Sequence, residues 1–253
     1  MDNSGHLLSN GRYRVLLTEL GTGYSGCAGQ ALTRWRGDGV EDPDGFFIYL
    51  KDLDSNELWS AGLRPARKVP ESAGVCFQEG KATLTRADGG IETTLEVAVL
   101  PGLDAEARRL TLVNRTPRPR RIEVTSCLEA VLNERGADLA HPAFSKLFVQ
   151  TEWCPEARAL LARRRPRGAD EKPRWMCHWL ASGPGGLSFA TDRAAFLGRG
   201  RTLAEPAALL ATGPLAGSAG SVLDPVLALV SLAAGVVGCV GGGEALVDLL
   251  VEI

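Results

Sequence analysis

Residues 91–100 read IETTLEVAVL and residues 121–132 read RIEVTSCLEAVL. In the first, Ile91, Leu95, Val97 and Val99 fall on one face, with Glu92, Thr94 and Glu96 on the other. In the second, Ile122, Val124, Leu128, Ala130 and Leu132 stand opposite Arg121, Glu123, Thr125 and Glu129. Side chains alternate across an extended strand, so this period of two specifies antiparallel strands with one buried and one wet face. Turn chemistry separates the runs. Asp88-Gly89-Gly90 splits KATLTRA from IETTLEV as a tight hairpin, because glycine accepts positive φ. Asn114-Arg115-Thr116-Pro117 divides RRLTLVN from RRIEVTS in the same manner. Further strands are expected in GRYRVLLTEL (11–20), GFFIYLKD (45–52), KLFVQTEW (146–153), WMCHWLA (175–181), GGLSFATD (185–192) and EALVDLLVEI (244–253). Only AEPAALLA (204–211) reads as helical, with Pro206 in its first turn. Many short strands joined by polar turns predict one all-β sandwich spanning 1–253.

A chain of 253 residues, 45% hydrophobic and 23% charged, can bury a sizeable core. Its formal net charge of −2 supplies no basic field for nucleic acid. The six cysteines lie far apart without ligand spacing, so neither a zinc site nor a disulfide framework is expected. They read as reduced, mostly buried thiols. The start, MDNSGHLLSN, lacks the basic and apolar regions of a signal peptide. Between Pro225 and Gly243 the chain is uncharged over about 18 residues, the lower limit for a membrane span. Its glycines and its lack of basic flanks predict two buried strands joined by a glycine turn instead.

Few residues stand out for chemistry. His141, in DLAHPAFSKLFVQTEW, can be read as a general base, a ligand contact or a polar turn residue. His178, inside the apolar WMCHWLA run, reads as a hydrogen-bonded sheet histidine. Tyr24, Trp35 and Trp59 offer rings that could stack on a sugar or simply pack in the core. Arg34 and Arg36 flank Trp35 and favour a polar, ligand-facing edge. The basic run RRRPRG (163–168), close to Asp170 and Glu171, reads as a solvated loop. No pair of carboxylates can be singled out for glycoside chemistry.

Taken in order, GTGYS, LTRWRGD, GFFIYLKD, ELWSAGLRP and the run from RADGGIETTLEV to EVTSCLEAVL resemble the N-terminal region of the inverting glycoside phosphorylases. These form glycoside hydrolase family ninety-four, formerly glycosyltransferase family thirty-six. HPAFSKLFVQTEW, RRRPR, GRGRTLAEPAAL and AGSVLDPVLAL are most similar to the phosphorylase-like part of cyclic β-1,2-glucan synthases. The resemblance covers about residues 7 to 229, and SLAAGVVGCVGGGEALVDLLVEI departs from it. It implies a large two-layer antiparallel super-sandwich, galactose mutarotase-like, with few short helices. In that family a separate (α/α) toroid carries the general acid and the phosphate site, so no catalytic residue, cofactor or metal is expected here.

The resemblance further implies that His141 and Phe144 lie in a loop that closes over sugar at a partner subunit's active site. Tyr24, Arg34, Trp35 and Trp59 join them as carbohydrate-binding candidates. The expected partners are β-glucan or an oligosaccharide and a toroid domain or partner subunit, with a homodimer left open. The expected location is cytoplasmic, within an inner-membrane synthase. Two other functions stay open: a free-standing aldose epimerase-like mutarotase using His141 or His178, and a purely structural dimerisation module.

Overall fold

A computed structural model describes residues 4–37, 44–169, 171, 173–181, 186–236 and 243–252. The chain runs β1 (Gly5–Ser9), β2 (Tyr13–Thr18), β3 (Gly23–Cys27), β4 (Gln30–Thr33), β5 (Phe46–Asp52) and β6 (Leu58–Ser60). It continues through β7 (Ser72–Gln78), β8 (Lys81–Asp88), β9 (Ile91–Val99), β10 (Ala105–Asn114), β11 (Arg120–Leu128) and β12 (Ala130–Asn133). Helices α1 (Arg135–Ala140) and α2 (Pro142–Lys146) follow, then β13 (Val149–Cys154), β14 (Ala159–Arg164), β15 (Arg174–Ala181) and β16 (Leu187–Asp192). Last come α3 (Arg193–Leu197), α4 (Ala207–Leu210), β17 (Pro225–Val236) and β18 (Gly243–Glu252).

Three antiparallel sheets make two layers. One layer is an eight-stranded sheet, β13-β14-β15-β18-β10-β9-β8-β7. Facing it are two five-stranded sheets, β1-β2-β3-β4-β12 and β16-β17-β11-β5-β6. A nearly continuous strand links these two, because β11 passes into β12 with only Glu129 between. The main core lies between the layers, where Leu8, Val15, Ile91, Leu95, Leu110, Val124 and Leu160 are buried together. One buried polar cluster also crosses it. Glu106, fully buried, accepts hydrogen bonds from Ser25 Oγ (2.5 Å) and from Arg108 Nη2 (3.0 Å).

The alternating run from Ile91 behaves as the sequence predicts. Asp88 pairs with Ile91 across Gly89 and Gly90, whose φ values of +56° and +78° demand glycine. The Asn114–Pro117 turn does something else. Asn114 Oδ1 accepts from Thr116 N at 2.9 Å and Nδ2 donates to Arg118 O at 2.8 Å. This turn carries the chain between layers, since β10 pairs with β9 and β18 whereas β11 pairs with β5 and β17.

Several expectations need correction. The predicted wet face of RIEVTSCLEAVL is dry over much of its length: Thr125, Cys127 and Glu129 are all buried. A second core covers the outside of the β16-β17-β11-β5-β6 sheet, where Phe47, Tyr49, Cys127, Val226 and Ala228 meet Phe196, Leu197, Leu203, Leu209 and Leu215. Polar anchors fix this cover, with Tyr49 Oη donating to Leu203 O (2.8 Å) and Lys51 Nζ to Ala211 O (2.8 Å). Helix α4 sits inside AEPAALLA with Pro206 at its N-cap, but α1, α2 and α3 were not anticipated. From Pro225, β17 runs unbroken through Gly235 to Val236 and β18 follows from Gly243; the glycine turn expected between strands falls on residues 237–242, outside the described residues. Of the five described cysteines, all free thiols, only Cys27 and Cys127 are buried, and Cys76 is exposed.

Candidate functional site

DLAHPAFSKLFVQTEW is a helix–histidine–helix corner rather than a simple entry to a strand. His141, exposed, caps the C-terminus of α1 and the N-terminus of α2, with Pro142 opening the second helix. Short helices of six and five residues have little intrinsic stability, so tertiary contacts must hold them. A chain of alternating charges does so. Arg34 makes a bidentate contact with Asp138 of α1, at 3.0 and 2.9 Å, and a third bond to Glu129 at 3.0 Å. Glu129 also accepts from Arg193 at 2.5 Å. Arg193 lies 3.6 Å from Asp224, and Asp224 pairs with Lys146 of α2 at 2.6 Å. Burial would lower the Arg34 pKa, yet Asp138 and Glu129 outweigh it and hold the guanidinium above its ordinary value.

The corner presents an apolar and basic surface. Phe144 is 54% exposed, and Leu139 and Leu147 are exposed beside it. Phe144 packs edge-on against Phe148 at 5.1 Å, and the guanidinium of Arg167 lies over the Phe148 ring at 5.0 Å. Arg164 donates to Ser145 O at 3.0 Å and so ties α2 to β14. RRRPRG is therefore no plain solvated loop at its start, because Arg164 is buried within β14.

The six residues nominated from sequence do not form one site. Trp59 and Arg34 are buried, at 1% and 4% exposure, and offer no surface to a saccharide. Tyr24 and Trp35 are half-buried, with ring centroids 6.0 Å apart. His141 and Phe144 are exposed on the α1–α2 corner, which Arg34 fastens to the strand end carrying Trp35. A cavity of about 510 Å³ contains none of them. It opens beside β7 and is lined by Leu20, Gly62, Arg64, Val75, Leu84 and Arg86 among others.

His178 is a sheet histidine, as its setting in an apolar run predicts. It is fully buried, its Nε2 lies 3.0 Å from Ser126 Oγ, and its ring meets Phe46 edge-on at 5.2 Å. Burial, with a smaller push from Arg108, lowers its pKa to about 3. It sits in the core, with no surface exposed to a ligand. Trp175, expected only as part of a strand, was not among the candidate site residues. Trp175 is 38% exposed and lines a smaller cleft of about 170 Å³ with Gln150, Glu152, Arg163 and Ser221.

Residues 3–234 match the glycosyl hydrolase 94 supersandwich domain. The chain is 39% identical over 231 residues to the cyclic beta-(1,2)-glucan synthase NdvB of Rhizobium meliloti (strain 1021), covering 90% of this chain and 8% of that protein. It is 26% identical over 153 residues to the solabiose phosphorylase of Paenibacillus borealis, covering 60% of this chain and 19% of that one. A solved structure assigned as an aldose 1-epimerase from Escherichia coli K12 superposes with a TM-score of 0.49 at 10% identity, covering 98% of this chain and 99% of that one. The chain thus spans under a fifth of the length of these curated relatives. No described helix is long and apolar enough to cross a membrane. With a family match over nearly its whole length, the chain belongs to the glycosyl hydrolase 94 supersandwich-domain family.

Proposed function

We propose that this chain is a non-catalytic carbohydrate-binding super-sandwich that works within a cyclic β-1,2-glucan synthase or glycoside phosphorylase-like protein. The observation that carries the reading is the 39% identity across 90% of this chain to a protein named as a cyclic β-(1,2)-glucan synthase. Its ligand is β-glucan, and its protein partner is an (α/α) toroid catalytic domain, in the same polypeptide or in a second subunit of a homodimer. The exposed Leu139, Phe144 and Leu147, flanked by arginines, suit a docking face, because aromatic and arginine side chains concentrate binding energy at interfaces. His141 and Phe144 then lie at the seam as lid or ligand contacts, with Tyr24 and Trp35 on the adjoining edge. Such an assembly sits on the cytoplasmic side of the inner membrane. The burial of His178 supports a binding role over a catalytic one.

Calorimetric titration with β-1,2-gluco-oligosaccharides, with and without phosphate, tests the reading. Saturable heat supports it, and a flat titration at millimolar ligand refutes glucan binding by this chain.

A further inference from the structure

We infer that the cleft around Trp175, on the outer face of the eight-stranded sheet, is a saccharide subsite that stacks a pyranose ring. This deepens the glucan-binding reading and rests on it. The cleft is assembled by register. Gln150 of β13 pairs with Arg163 of β14, which pairs with Trp175 of β15, so the three side chains stand in one row across the sheet. Glu152, two residues along β13, projects from the same face. Opposite residues such as Thr151, Ala162 and Met176 are buried, which fixes the row on the solvent side.

The row is pre-ordered. Arg163 Nε donates to Gln150 Oε1 at 3.0 Å, and Gln150 Nε2 donates to Ser221 Oγ at 2.9 Å. The backbone behind Ser221 is pinned to β13, as Thr151 N donates to Gly220 O at 2.9 Å. The Arg163 guanidinium lies 5.4 Å from the Trp175 ring centroid and holds the indole in place. The Glu152 carboxylate makes no hydrogen bond or ion pair among the described residues, so its acceptors are available.

This combination selects a class of ligand. Glu152 repels an anion and Arg163 repels a cation, while a purely apolar ligand would leave the polar rim unsatisfied. A neutral polyhydroxylated ring satisfies all of it. Its C–H face covers the exposed indole, and its hydroxyls donate to Glu152 and accept from Arg163 and Gln150. A volume of about 170 Å³ holds one such ring. The face also continues. Trp179 is half-buried on the same side of β15, four residues on, a rise of about 13 Å along the strand. A chain of several sugars running along β15 therefore reaches both indoles.

The test is a calorimetric titration of the whole chain with β-1,2-gluco-oligosaccharides of two to six units, on wild type and on Trp175→Ala, Glu152→Gln and the control Val69→Ala, an exposed position that does not line the cleft. Circular dichroism and a thermal melt establish that each variant is folded. The expected result is wild-type affinity that rises with ligand length and falls at least tenfold in Trp175→Ala and severalfold in Glu152→Gln, with Val69→Ala within twofold. Retained affinity in folded Trp175→Ala overturns the subsite and leaves the glucan-binding reading standing. Absence of binding by wild type overturns both.

Discussion

A fully buried histidine that stays neutral should make the fold acid-sensitive well above the range in which carboxylates titrate. The unfolded chain protonates His178 near pH 6.5, while the folded chain resists until about pH 3. Because the folded pKa is depressed, the histidine's contribution is fully present above pH 6.5 and is lost as pH falls toward 3. At about 1.4 kcal/mol per pH unit, the whole loss is about 5 kcal/mol. Between pH 7 and pH 5 it is about 2 kcal/mol, a large part of a typical domain's stability. Urea unfolding at half-unit steps of pH, on wild type and on His178→Gln, isolates the effect. The wild type should lose about 2 kcal/mol more than the variant over that interval. Parallel loss in the two proteins would refute the argument, as would a His178 ring resonance titrating near pH 6.

Replacing Arg34 with methionine strands Asp138 in a buried site and leaves Glu129 with Arg193 alone, and should cost about 3–5 kcal/mol by urea denaturation. The double variant Arg34→Met/Asp138→Leu should recover part of that loss, and additive losses would show that the pair is not coupled. Phe196→Ala should cost about 3–5 kcal/mol and Leu209→Ala about 2–5 kcal/mol, because both fill the second core. A change below about 1 kcal/mol in either would mean that the cover over the sheet is loosely packed. Gly23→Ala should abolish soluble folded protein, since φ is +151° and an added Cβ would lie 1.8 Å from Leu16 O. Gly29→Ala, at φ +83° with open space around it, should cost only about 1–2 kcal/mol, read from the thermal melt.

The parts of the fold legible in sequence were those governed by local rules. Period-two runs gave β8, β9 and β10 their buried faces, and Gly89-Gly90 announced its hairpin because the turn needs positive φ. Tertiary cover is not a local property. Phe196, Leu203, Leu209 and Leu215 follow no helical or strand period, so nothing marked them as a lid that dries the second face of β11. The helices α1 and α2 lack side-chain caps and depend on Arg34 and Lys146, whose partners are far away in sequence or in another element. The same reasoning explains the site residues. Trp59 lies two residues after Glu57 and Trp175 directly after Arg174, each in a strand, yet one is buried and the other exposed. Only the pairing of Trp175 with Arg163 and Gln150 distinguishes a platform from a core residue, and register across three strands is not written in any one of them.

The strand order of the large sheet carries a consequence for how the protein is made. Its strands fall into two meanders, β7 to β10 and β13 to β15, which share no pairing with each other. β18 lies between them, bonded to β10 along one side and to β15 along the other. On a ribosome, β10 therefore waits with a bare edge while more than a hundred further residues are synthesised. Until β18 emerges, the nascent chain holds two half-sheets whose open edges can pair with the wrong strand or with a neighbouring chain. Completion of the native sheet thus waits on the long-range pairing of β18, which slows folding and leaves both edges open to mispairing during translation.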